Sequence, residues 1–254
     1  MDQEKEIQQL KNRFRDLAQK AFSQNVFTFT GFLGISEQDV FRQLERELQY
    51  AGFTLWGGAS ATDRVMVRFG NAEELGYEVE FPITCIHISP LLAKFADNLT
   101  HRDFLGALMN LGVERSTLGD IRVGDREAYL FCTDTIAPYL CEHLNQVKHT
   151  AVRCRIVEQA AQVPQEEPQE KTVSVASIRI DGVIAKVYNK SRETCLELFR
   201  AQKVYVDGRL CENNARQLKK GETVNVRGFG KFQMTEEPFE TRKGNLSVKV
   251  AIYS

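Results

Sequence analysis

Apolar residues recur along this chain with two different periods, and the switches between them outline its elements. Ile7, Leu10, Phe14, Leu17, Ala18 and Ala21 repeat at helical spacing and predict a helix over 4–22. A strand-like FTFT (27–30) follows. Next comes a helix begun by Ser36, whose hydroxyl suits an N-cap, with Val40, Leu44 and Leu48 on one face. FTLW (53–56) and RVMVRF (64–69) read as strands, and the glycines at 70 and 76 mark a break in composition. Beyond it the pattern is more regular: a strand over 77–88 interrupted by Pro82, a helix over 101–111, strands over 118–123 and 128–132, a helix over 135–147, and a strand over 152–157. This β-α-β-β-α-β order is that of a ferredoxin-like, RRM-like plait. Many RNA-binding domains share the order but stack bases on aromatics in a signature absent here, so order alone assigns no function.

The stretch QAAQVPQEEPQEK (159–171) carries no aromatic residue and reads as a linker. After it, Ile180, Val183, Ile184 and Val187 form one apolar stripe on a short helix. Ser191 can cap a second helix, RETCLELFRAQ. KVYV, the pair Asp207-Gly208 and RL then predict a type I′ hairpin, and a final strand, TVNVRG, follows the Lys220-Gly221 turn. The expected class is α+β, with an N-terminal α+β domain (1–75), an RRM-like candidate RNA-binding domain (76–158), a linker (159–173) and a basic C-terminal domain (174–254).

Composition changes the picture in one respect. The formal net charge of −1 over 254 residues conceals an asymmetry. Residues 1–173 hold 18 Lys and Arg against 25 Asp and Glu, or −7, whereas residues 174–254 hold 15 against 9, or +6. A localised positive module is what binding to a polyanion needs. The charged, helical N-terminus and the lack of an 18-residue apolar run point to a cytoplasmic protein without a membrane span.

The six cysteines have no C-x-x-C pair. The nearest approaches to metal pairs, Cys85/His87 and Cys141/His143, read as small core residues inside regular elements, so neither metal nor cofactor is expected. His101-Arg102-Asp103 imitates a kinase catalytic loop without the other kinase motifs. Gly228-Phe229-Gly230-Lys231 lacks the glycine spacing and the hydroxyl residue of a phosphate loop. Lys231 is better read as a backbone contact for RNA, and Phe229 as packing or base stacking. Thr100 and Asp103 are accounted for as a capping box, with Phe104, Leu105, Leu108, Met109 and Leu111 expected in the core. Arg102, Arg115, Arg122 and Arg126 are equally well RNA contacts or ordinary surface charges.

In the C-terminal module, Arg179, Lys186 and Lys190 project within about 40° of one another at 100° per residue, provided the helix persists to Lys190. With Arg192 and Lys203 they suit an RNA backbone, and the helix N-terminus at Ser191 adds oriented N–H groups. Arg200 could instead be held by Glu197. Residues 177–232, with R-I-D (179–181), N-K-S-R (189–192), K-V-Y-V-D-G (203–208) and K-G-E (220–222), resemble an S4 RNA-binding domain. Carried over from that family, the residues gripping structured RNA would be Arg179, Lys186, Lys190, Ser191, Arg192, Arg200 and Lys203. The departure is Gly182-Val183, where many members carry polar residues.

THRDFLGALMNLGVERSTLGDIRVGD (100–125), together with V-R-G-F-G-K-F (226–232), resembles the YlmH family of bacterial S4-domain proteins. The resemblance implies a cytosolic, non-enzymatic protein on the large ribosomal subunit, acting in quality control of stalled nascent chains. Its implied partners are large-subunit ribosomal RNA, tRNA and ribosomal proteins, with no membrane, and the chain is expected to be monomeric. Two alternatives stand beside this: an RNA-modifying enzyme of pseudouridine-synthase type targeted by an S4 module, and an adaptor linked to cell division.

Overall fold

The computed structural model describes residues 2–60, 62–92, 94, 96–157, 168–241 and 244–253. It is a mixed α/β chain with several sheets, and it divides into two compact units, Met1–Pro164 and Gln165–Ser254.

The first unit opens with α1 (Asp2–Gln24) and α2 (Ile35–Leu48), which bury Phe14, Ala18, Val40, Phe41 and Leu44 with Phe69 of a small sheet. That sheet comprises β1 (Thr28–Phe29), β2 (Phe53–Trp56) and β3 (Met66–Phe69) in the order β1-β3-β2. Ser36 does not cap α2. Gly34 is the N-cap, because the Glu37 carboxylate reaches back to accept its N–H at 2.6 Å and draws Ser36 inside the first turn. A one-turn helix, α3 (Ala72–Leu75), ends at the left-handed Gly76.

Further along the unit lie β4 (Ile83–Pro90), α4 (His101–Asn110), β5 (Leu118–Val123), β6 (Ala128–Thr133), α5 (Ala137–His143), β7 (Gln146–Val147) and β8 (Thr150–Val157). The strands form one antiparallel sheet in the order β5-β6-β4-β8-β7. The strand expected from residue 77 begins only after Pro82, which has no N–H to give a ladder. The helix expected over 135–147 stops at His143. Lys148, at φ +56°, turns Gln146–Val147 back against β8 as a hairpin. The Thr100/Asp103 capping box forms: Asp103 accepts from both the N–H and the hydroxyl of Thr100 at 2.8 Å. Phe104 and Leu108 are fully buried, but Met109 is 41% exposed, since a ten-residue helix on a sheet has one inward face.

The helices α4 and α5 cover one face of this sheet, over Ile86, Ile88, Leu118, Leu130 and Val152. On the opposite face, Phe32 and Met66 pack with Cys85, Tyr129 and Phe131. This shared cluster crosses the division expected at residue 75, so residues on both sides of it belong to one compact unit.

The second unit contains β9 (Gln169–Val175), α6 (Ile180–Val187), α7 (Arg192–Arg200), β10 (Val204–Val206), β11 (Arg209–Leu210), β12 (Thr223–Val226), β13 (Gly230–Met234), β14 (Phe239–Glu240) and β15 (Leu246–Tyr253). TVNVRG is therefore not the final strand, and the expected small hairpin is one end of a seven-stranded sheet. Of the expected linker, 159–167 lie outside the described residues. Residues 169–173 are not linker but part of β9, paired with β15 from Gln169↔Ile252 to Val175↔Leu246. Buried Val173 and Val175 alternate with exposed neighbours there, a period-2 signal that the Gln, Glu and Pro composition concealed. The Asp207-Gly208 turn has φ of +48° and +74°, the two positive values that a type I′ hairpin requires.

Candidate nucleic-acid interface

In the second unit, Ile180, Val183, Ile184 and Val187 are all buried, and this stripe fixes which face of α6 meets the sheet. The helix does not persist to Lys190. Asn189 takes a left-handed φ of +52° and the Lys190 N–H bonds back to the Ala185 carbonyl at 2.9 Å, the geometry of a Schellman C-cap. Lys171 closes the same end, donating to the carbonyls of Lys186 and Val187 at 3.3 and 2.7 Å. The projected alignment of Arg179, Lys186 and Lys190 therefore fails at its last member. The Lys190 ammonium lies 5.4 Å from the centre of the Phe229 ring instead, a cation–π arrangement on the β12–β13 turn.

Arg179 is the N-cap of α6, and beneath it lies the most buried carboxylate among the described residues of the unit. Asp181 is 1% exposed and accepts from Arg179 Nε and Nη2 at 3.2 and 2.9 Å, from the Gly182 N–H at 2.7 Å and from Asn214 at 3.2 Å. Burial alone would push this carboxyl up. The hydrogen bonds from Arg179, Gly182 and Asn214, with the Arg179 charge, outweigh burial and hold it below the usual aspartate value. Arg192 Nε comes within 3.8 Å of the same carboxylate oxygen. One buried carboxylate thus draws two guanidinium groups together, with side chains 37% and 65% exposed, and leaves a net positive patch at the helix–helix elbow. A side chain at Gly182 would meet only the Ser177 carbonyl oxygen at 4.0 Å, so packing does not impose the glycine.

Ser191 caps α7 as expected, accepting the Thr194 N–H at 3.1 Å. Lys186 is exposed in the last turn of α6. Arg200 is exposed in the last turn of α7, and among the described residues it forms no ion pair with Glu197. Lys203 is exposed where α7 passes into β10, and its carbonyl accepts the Arg227 N–H at 2.9 Å. Lys231 lies on β13 with its ammonium 5.3 Å from the Tyr253 ring centre. The geometry gathers Arg179, Ser191 and Arg192 at the elbow, sets Lys190 on Phe229, and brings exposed Arg227 beside Lys203. Nothing in the local sequence pattern tied Arg227 to that neighbour.

The first unit uses its arginines differently. Arg115 donates to the Leu118 carbonyl at 2.9 Å, and Arg122, 8% exposed, donates to the Ser60 carbonyl. Both fasten backbone, so of the four arginines weighed in this segment only Arg102 and Arg126 remain surface groups. All six cysteines are free thiols. Within the sheet, His87 stacks on Tyr129 across β4 and β6, an aromatic pair that strand register alone reveals.

Comparison with known proteins bears on the same sheet. Residues 77–161 match the family described as "Putative RNA-binding domain in YlmH". The chain is 27% identical over 154 residues to the Ribosome-associated protein quality control protein P2 of Bacillus subtilis (strain 168). Over residues 77–161 the chain is similar to the YlmH family. The alignment with the Bacillus relative covers 59% of this chain and 60% of the relative's length. A solved structure, the cell division protein YlmH from Streptococcus pneumoniae, superposes with a TM-score of 0.48 at 19% identity, covering 63% of this chain and 95% of that one. The segment matched as the YlmH RNA-binding domain spans β4 to β8, so it contains Arg102, Arg115, Arg122 and Arg126 but none of the cations of the second unit.

Proposed function

We propose that this chain is a non-enzymatic, cytoplasmic RNA-binding protein. It binds the large ribosomal subunit through ribosomal RNA, with tRNA and ribosomal proteins as further contacts, and serves quality control of stalled nascent chains. We read the β4–β8 sheet with α4 and α5 as a ferredoxin-like plait and the second unit as an S4 domain, in a chain that acts as a monomer. The observation that carries this reading is the elbow of α6 and α7. There Arg179 and Arg192 are oriented by one buried carboxylate while their outer edges face solvent, with Lys186 and Lys190 exposed nearby in sequence. Pre-oriented guanidinium groups suit phosphates, which they can meet with paired N–H donors. The family match over 77–161 and the printed name of the Bacillus relative support an RNA-directed, ribosomal role. Among the described residues no helix is long and apolar enough to cross a membrane.

Co-sedimentation with purified large subunits tests the reading. Reversing Arg179 and Arg192 to Glu is expected to abolish it, and Lys186→Glu with Lys190→Glu, at exposed positions, should weaken it without touching Asp181. Unchanged co-sedimentation of both variants refutes the assigned surface.

A further inference from the structure

We propose that the face of the β4–β8 sheet turned away from α4 and α5 is a platform for single-stranded RNA. On it a base stacks against His87, and two arginines of β8 take the flanking phosphates. The proposal rests on the RNA-binding reading above and places a second contact in the other unit, with a different kind of RNA.

Strand register builds this surface. Ile86 and Ile88 are fully buried toward the helices, so His87 and Ser89 between and after them occupy the other face. His87 stands opposite Tyr129 on one side and opposite Arg155 on the other, and Ser89 stands opposite Arg153. The His87 and Tyr129 rings are stacked, 4.7 Å apart and 22° from parallel. Tyr129 is 8% exposed, whereas the His87 side chain, between Tyr129 and Arg155 in the register, is 25% exposed and is the more accessible ring of the pair. Glu127 holds the imidazole through Nε2 at 2.8 Å, which fixes the ring plane. Toward Cys85 and Phe131 the same face is closed by Phe32 and Met66, so the open area begins at the stacked pair.

The His87–Glu127 pair alone would be explained by local structure. The neighbouring strand is not. Arg153 and Arg155 are exposed side by side on this face, Arg153 with its Nε donating to the Ser89 hydroxyl at 3.4 Å, whereas Arg115 and Arg122 turn their guanidinium groups onto backbone carbonyls. A planar ring of fixed orientation beside two outward cations complements a stacked base and its phosphates. It also lies in the segment matched as an RNA-binding domain.

Fluorescence anisotropy of a labelled, unstructured, mixed-sequence decaribonucleotide with the full chain tests it. Arg153→Gln with Arg155→Gln should weaken binding and reduce the slope of log affinity against log salt by about 1.4, at roughly 0.7 per phosphate contact on a single strand. His87→Ala should weaken binding about tenfold, and His87→Phe should retain it, because stacking needs a ring and not an imidazole. The losses in the Arg153/Arg155 and His87→Ala variants are expected in the decamer assay whatever the Arg179/Arg192 reversal does to co-sedimentation, which separates this proposal from the elbow reading. Three results overturn the platform whether or not co-sedimentation holds: no decamer binding by the natural chain, unchanged affinity in the Arg153/Arg155 and His87→Ala variants, or an equal loss in His87→Phe and His87→Ala. The second would mark the face as a protein contact instead.

Discussion

The two units use the same side chain in opposite ways. In the first, the guanidinium groups of Arg64, Arg68, Arg115 and Arg122 turn inward onto backbone. Arg64 donates to the carbonyls of Leu118, Phe32 and Arg115 at 2.8, 2.8 and 3.0 Å, and burial, followed by repulsion from Arg115, lowers its pKa to about 10. Arg68, 7% exposed, donates to the Val79 carbonyl at 2.6 Å and lies 5.0 Å from the centre of the Phe27 ring. In the second unit Arg179 and Arg192 turn outward, and their buried partner is a carboxylate that orients them. A count of charges separated an acidic stretch from a basic one. The placement shows more: several cations of the acidic unit are consumed as internal donors, whereas Lys186, Arg192 and Arg200 of the basic unit are exposed.

The largest effect that would sharpen this contrast is at Arg64. Arg64→Ala removes three hydrogen bonds to backbone carbonyls in the first unit, of which those of Leu118 and Arg115 keep a second donor, and should lower its unfolding free energy by about 3 kcal/mol in urea denaturation. A midpoint equal to that of the natural chain would break the contrast. Asp181→Ala should cost the second unit about 2 kcal/mol, less than a fully buried pair because Arg179 is partly solvated. The sign with pH follows from the depressed carboxyl of Asp181. Its contribution is complete above the ordinary aspartate pKa of about 3.9 and is lost as pH falls through the lower folded value. Asp181→Asn should flatten that acid-side slope in stability measured from pH 5 downward.

Capping should act alike in both units. Ser191→Ala and Thr100→Ala are each expected to cost about 1 kcal/mol by chemical denaturation. The smallest effect belongs to the outward cations: Lys186→Gln and Arg200→Gln should change stability by less than about 0.5 kcal/mol while weakening binding to large subunits. A large stability loss there would mean that these side chains are structural after all.

Much of the element order was legible because it depends on near neighbours. The α6 stripe, the Ser191 cap, the Thr100/Asp103 box and the Asp207-Gly208 turn are each decided within a few residues. The misreadings are of a different kind. Ser36 lost to Gly34 because a carboxylate three residues on was the stronger closure. Lys190 left the helical alignment because Asn189 accepted a left-handed conformation that residue type permits without demanding. Strand β9 was hidden by composition and is defined by β15, some seventy residues later. His87 with Tyr129 and Arg153 with Arg155 could not be assembled from periodicity, since their proximity comes from antiparallel register between separate strands. The site residues were therefore legible as a charge pattern, while their grouping around Asp181 required the fold.

The most direct test of the claim that the α6–α7 elbow grips ribosomal RNA is the salt dependence of binding to purified large subunits. The natural chain should show a steep fall in affinity with salt, and Lys186→Gln with Lys190→Gln should make the slope shallower by roughly 1 to 2, since each phosphate contact contributes about 0.7 on single strands and about 0.9 on duplex DNA. An identical slope and affinity in the two proteins would contradict the account.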